Sequence, residues 1–170
     1  MLTGCSTGPD TNQTMDNSIS LRLLSADEVD QRFGASQQEN PFSSPKGLIS
    51  KNQEFLVIEI KASLDRRNTL ELYDMKAKSA AGVSLANYLP MEEFLIIMET
   101  YKTGKDMEDI RRTTVEHNYL PSRGKRVSAK GTLAALVVMI GKAPIPRPIE
   151  LTADFLINGN EGMRIEAIAE

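Results

Sequence analysis

The chain has 170 residues, with 20 basic against 23 acidic side chains, a formal charge of −3 and 41% hydrophobic residues. These values fit one globular domain, and the near balance of charge gives no field strong enough to attract nucleic acid or an anionic membrane. One cysteine excludes an intramolecular disulfide, and one cysteine with one histidine excludes a zinc centre of nitrogen and sulfur ligands.

Residues 1–18 begin with Leu2-Thr3-Gly4-Cys5 and continue as a polar run, Ser6 to Asn17. Such a run has too little apolar surface to fold and suits a flexible tether. An apolar residue, two small residues and a cysteine resemble the lipobox of bacterial lipoproteins. The resemblance implies that Cys5 carries lipid chains and anchors the domain in a bacterial cell envelope, facing the periplasm or the exterior. Several acyl chains would make that anchoring stable. In that family a charged segment and an apolar stretch precede the cleavage site, whereas Met1 to Gly4 stand before Cys5 here. The alternative is a cytoplasmic chain with an incidental cysteine.

Residues 19–50 read as an N-terminal extension. Ile19 to Leu24 is a short extended segment. Ser25 and Glu28 have the spacing of a capping box, and Ala26, Val29 and Phe33 then fall on one face of a short helix that Gly34 ends. Ala35 to Lys46 reads as a loop pinned to the core by Phe42.

Residues 51–170 carry the strand signals. Leu56, Ile58, Ile60, Ala62 and Leu64 alternate with a mostly polar face. Thr69 to Lys78 gives a second, less regular strand, and Ala80 to Pro90 a longer connection. Glu93 to Thr103 is expected as a third strand, apolar on both faces and therefore central. Thr103 to Asp106 reads as a turn. Met107 to Asn118 reads either as a strand through Thr113, Val115 and His117 or as a helical turn followed by a strand. Leu120 to Lys130 is a basic loop. Thr132 to Ile140 is a buried strand whose longest apolar run, Leu133 to Ile140, falls far short of the roughly 20 residues of a membrane-spanning helix. A stretch with three prolines follows, then clean alternation from Ile149 to Ile157, a hairpin turn at Asn158-Gly159, and a last strand through Met163, Ile165 and Ala167.

This pattern predicts a mainly β domain, an immunoglobulin-like antiparallel sandwich of about seven strands with a short N-terminal helix. The alternatives are an α+β fold or a partly closed β-barrel.

Catalytic sets are thin. His117 lacks a Gly-x-Ser-x-Gly elbow. Asp106, Glu108 and Asp109 offer too few oxygens for calcium and stand beside competing cations. Arg123, Lys125, Arg126 and Lys130 form the basic patch, with Tyr119 expected exposed beside it, suited to an anion or a partner. The expectation is a non-enzymatic, lipid-anchored binding or assembly module without metal or cofactor, its partners the membrane through lipidated Cys5 and another envelope protein. A carrier for an apolar ligand held between the sheets, and an enzyme using His117 or the carboxylates, are the alternatives.

Overall fold

The computed structural model describes residues 18–35, 39–44, 52–65, 68–99, 105–128 and 130–170, with Lys105, Asp106 and Glu161 described by backbone alone. Cys5 and the tether, and Thr103 and Gly104 of the expected turn, lie outside the described residues, while Lys105 and Asp106 of that turn open a helix instead. The elements in chain order are β1 (Ser18–Leu23), α1 (Ala26–Phe33), β2 (Gln53–Ser63), β3 (Thr69–Lys78), β4 (Ser84–Leu89), α2 (Met91–Glu99), α3 (Lys105–Asn118), β5 (Lys125–Arg126), β6 (Thr132–Lys142), β7 (Ile149–Ile157) and β8 (Glu161–Ala169).

The strands form one antiparallel sheet in the order β1-β2-β6-β4-β3-β7-β8, with β5 on β3. The expected immunoglobulin-like sandwich is therefore corrected. A sandwich breaks the hydrogen-bonded path into two sheets, and here the path runs unbroken from β1 to β8. The sheet curls until those two strands face each other, which makes a nearly closed barrel. Period-two alternation is common to both architectures, so the pattern alone did not separate them.

The inward faces follow the alternation. Leu56, Ile58, Ile60 and Ala62 stand opposite Met139, Val137, Ala135 and Leu133 across the β2–β6 ladder. Ile149, Leu151, Ala153, Phe155 and Ile157 are buried on the inward face of β7, where full burial of a large aliphatic or aromatic side chain is worth about 1.5–3 kcal/mol. The irregular pattern of β3 has a local cause. Its register against β7 shifts between Leu72 and Asp74, a bulge that turns Tyr73 to solvent at 73% exposure. The β7–β8 hairpin is as read, with positive φ at Asn158 and Gly159 and the Asn160 N–H donating to the Ile157 oxygen at 3.2 Å.

Two segments differ from expectation. The expected strand from Glu93 to Thr103 is helix as far as Glu99, because α2 occupies Met91–Glu99, and residues 100–103 lie outside the described residues. A strand would put Ile96 on the face of Phe94 and Met98, yet Ile96 is 63% exposed while Phe94, Leu95 and Met98 are buried. Pro90 precedes the helix and Glu92 and Glu93 occupy its first turn, as the dipole favours. Met107 to Asn118 belongs wholly to α3, where Arg111 and Val115 are buried one turn apart.

Strand β4 lies inside the expected connection Ala80 to Pro90, and β5 inside the expected basic loop. Together they fill one place in the wall. β4 pairs with the far part of β3 from Lys76 to Lys78, and β5 pairs with its start at Thr69 and Leu70. Between them the chain leaves the wall at Leu89, makes α2 and α3 outside it, and returns at Tyr119, which bridges Leu136 of β6.

The helices cover the outer face of β2 and β6, so both faces of those strands are buried. A chain of rings joins them. Phe33 meets Phe42 at 4.7 Å, Phe42 meets Phe94 at 5.7 Å, and Phe94 meets Phe55 and Tyr119 at 5.5 Å each. Phe42 is buried as expected. Buried Asn40 holds its loop by accepting from the Phe42 N–H at 2.9 Å and donating to the Gly34 oxygen at 2.9 Å.

Candidate functional site: the open seam

Antiparallel neighbours alternate in direction. The ring has seven places, since β4 and β5 share one, so β1 and β8 run parallel to each other. Parallel edges cannot continue an all-antiparallel ladder. The two strands approach within 8 Å between Cα atoms, but no ladder joins them among the described residues. Toward their C-terminal ends they bound a groove of about 300 Å³, lined by Leu21 to Ser25 on one side and Ala167 to Glu170 on the other. Leu21 and Leu23 point inward, opposite Ile60 and Ile58, yet remain half-buried. Ala167 and Ala169 are also half-buried, and Ile168 is 73% exposed on the outer side of β8. The groove is thus a mouth of mixed lining between two free strand edges, with Leu21, Leu23 and Ala167 beside Arg22, Glu28, Arg147 and Glu170.

One wall of the groove is fixed by charge. Glu59 on β2 is 5% exposed. Its carboxylate accepts from Arg22 Nη2 at 3.1 Å and Arg32 Nη1 at 2.8 Å, and pairs with Lys61 Nζ at 3.2 Å. Burial pushes its pKa up, but the bonds from Arg32, Lys61 and Arg22 outweigh that and hold it below the usual carboxylate range. Arg22 also pairs with Glu28 at 2.5 Å. Glu28 completes the capping box, accepting from the Ser25 N–H at 2.9 Å, and that bond together with Arg22 lowers its pKa. The network ties β1, α1 and β2 together and sets the direction of the Arg22 side chain beside the seam.

No family model matches the chain, and neither does any curated protein or solved structure. The groove is therefore read from its own geometry.

The residues singled out in the sequence lie elsewhere. His117 is exposed on the last turn of α3, where its backbone oxygen accepts from Lys125 Nζ at 3.0 Å. Glu108 and Asp109 are exposed on α3, the Asp106 side chain lies outside the described residues, and no cluster of metal-ligating residues occurs among those described. Tyr119 requires a correction, since it is fully buried rather than exposed beside the basic loop. Its hydroxyl accepts from the Val138 N–H at 2.9 Å and donates to the Leu89 oxygen. Burial raises its pKa well above the ordinary value, so the hydroxyl keeps its proton. The tyrosine fastens the wall where the chain leaves for α2 and comes back from α3. Arg126 and Lys130 are exposed, Lys125 is half-buried, and Arg123 is exposed near Glu92, which accepts from Ser122 Oγ at 2.6 Å. Sequence reasoning missed Glu59 and Arg22. The available signal was a lone carboxylate between Ile58 and Ile60.

Proposed function

We propose that this domain is a non-enzymatic binding module of a lipid-anchored envelope protein, and that its binding surface is the seam between β1 and β8. The observation that carries the reading is the parity of the ring. A partner segment in extended form, running antiparallel to β1 and β8, would meet both free edges in the sense of every other pair in the sheet. Its alternate apolar side chains would rest on Leu21, Leu23 and Ala167, and the groove selects a strand rather than a compact ligand. Cys5, through the lipobox-like start, supplies the anchor.

Two measurements test the two halves. Mass spectrometry of the native protein is expected to find Cys5 acylated, and an unmodified thiol overturns the anchor. Photo-crosslinkers at Glu166 and Ile168, both exposed on β8, are expected to capture one partner segment in reverse order of its numbering, with nothing at exposed Tyr73. Equal capture at Tyr73, or capture without that order, overturns the strand-binding reading.

A further inference from the structure

Strand β8 lacks a hydrogen-bonded neighbour on its seam side among the described residues. The shortfall shows in its burial. Met163, Ile165, Ala167 and Ala169 face the barrel interior beside Phe155, Ala153, Leu151 and Ile149 of β7. Those four β7 residues are buried, while all four on β8 are only half-buried. Gly162, Arg164, Glu166 and Ile168 alternate with them and are exposed on the outer face.

This edge is complementary to itself. A two-fold axis at Ile165 sets two copies of β8 antiparallel. On the outer face Arg164 then stands opposite Glu166 of the second copy, and by symmetry Glu166 stands opposite its Arg164. Ile168, which is 73% exposed, stands opposite Gly162, where no atom lies within 4 Å of the missing Cβ. On the inner face Met163 meets Ala167, large against small, and Ile165 meets its own copy. The two adjacent registers that keep each face in place fail on charge. One sets Arg164 against Arg164 and the other sets Glu166 against Glu166, and like charges directly opposite are destabilising. Arg164 has a donor to spare for the pairing. It holds Asp154 through Nε at 2.7 Å and Nη2 at 2.9 Å, while Nη1 makes no hydrogen bond and Glu166 enters no ion pair among the described residues.

We propose that the strand received at the seam is β8 of a second copy, and that the chain forms a two-fold dimer through paired β8 edges. This rests on the seam-binding reading above and names its partner. The pairing extends one sheet across the axis, from β7 and β8 of one copy to β8 and β7 of the other. No ladder between β1 and β8 has to break, because none joins them among the described residues. Met163 of the second copy, opposite Ala167, comes to the groove that Leu21, Leu23 and Ala167 line. Arg164 and Glu166 turn unmatched strands away and admit their own sequence reversed. The two-fold axis uses the β8 edge once on each copy, which leaves that edge nothing from which to grow a filament.

Sedimentation equilibrium of the full chain tests the pairing. The parent is expected to sediment as a dimer that dissociates on dilution. R164E sets carboxylate against carboxylate at both symmetric contacts, and E166R sets guanidinium against guanidinium. Both positions are exposed, so each variant is expected to keep a urea midpoint close to the parent's. Each is expected to dimerise at least about tenfold more weakly, since an attraction becomes a repulsion twice over. Mixed in equal amounts, the two variants are expected to dimerise again at close to the parent's affinity, because every contact then joins opposite charges. A parent that stays monomeric up to its solubility limit, variants that dimerise as the parent does, or a mixture no tighter than its components overturns the proposal. The crosslinkers at Glu166 and Ile168 keep the two readings apart. In the purified chain they are expected to join Arg164 and Gly162 of a second copy. Ordered capture of a foreign strand by a monomeric chain refutes self-pairing and leaves the seam reading standing, whereas capture without that order overturns both.

Discussion

Replacing Tyr119 by phenylalanine removes one oxygen and leaves the ring against Phe94, at 5.5 Å, in place. The Val138 N–H then loses its acceptor at 2.9 Å, and the Leu89 oxygen loses its donor. Each buried backbone group left without a partner costs about 1–3 kcal/mol, and the end of β4 is free to relax, so the expected loss is about 2–3 kcal/mol. For a chain of this size that lowers the melting temperature by roughly 4–12 °C. Urea titration followed by circular dichroism gives the loss directly, with Tyr73→Phe, at the exposed bulge, as the neutral control. A second signature is the pH dependence. The Tyr119 pKa is raised in the folded state, so the stability tied to its proton is complete below the unfolded tyrosine value near 10 and is lost as pH rises above it. Tyr119→Phe is expected to flatten that alkaline decline. A loss below about 0.5 kcal/mol, or an unchanged alkaline slope, would refute the fastening role.

Glu59→Gln is expected to cost about 1–2 kcal/mol near neutral pH, a modest figure because its cationic partners are 39–60% exposed and screened. The Glu59 pKa is lowered on folding, so its contribution is present above the ordinary glutamate value and fades as pH falls through the folded one. Variant and parent should therefore converge in acid denaturation curves. Phe94→Ala removes the ring that meets Phe42, Phe55 and Tyr119 and should cost about 3–5 kcal/mol by urea titration. Gly141→Ala places a Cβ against the Leu85 carbonyl oxygen and 2.8 Å from Ile145 Cδ1, so a loss of about 1–3 kcal/mol is expected in the same assay. Leu23→Lys, in the half-buried mouth, should cost only about 1 kcal/mol because the ammonium reaches water, while abolishing capture by a crosslinker at Ile168.

What was legible in the sequence follows the reach of local physics. The capping box at Ser25 and Glu28, the alternation of β2 and β7 and the Asn158-Gly159 turn are each set within a few residues, and each stands as read. Helix α2 escaped because Phe94, Ile96 and Met98 satisfy period two, while Phe94, Leu95 and Met98 satisfy a helix equally well. Only the exposure of Ile96 separates them. Helix α3 escaped because Thr113, Thr114 and Val115 are β-branched, yet tertiary contacts decide that segment. Val115 is buried, and the Thr114 hydroxyl donates back to the Ile110 oxygen at 2.8 Å. Tyr119 lies beside a basic loop in sequence, but the excursion through α2 and α3 folds it inward. The basic residues themselves were legible. Their place in the fold was not, because it depends on pairings such as Leu70 with Lys125 that span the chain.

The seam is the feature least visible in the sequence and the one most tightly fixed by topology. Side chains on β1 and β8 can widen or fill the groove, but no substitution there changes the direction of either strand. An even number of antiparallel places would let the ring close on itself, as closed antiparallel barrels do. Seven places leave the last pair parallel, a slightly weaker pairing, and among the described residues no ladder joins β1 to β8. Part of the free edge is guarded. β8 turns Arg164 and Glu166 outward along the edge, and Arg164 pairs with Asp154 at 2.7 Å, placing charge where another sheet would otherwise add on. Toward Ala167, Ile168 and Ala169 that protection stops and the edge becomes apolar. Charge thus lies outward along the lower part of the β8 edge at Arg164 and Glu166, while Ala167, Ile168 and Ala169 above carry none.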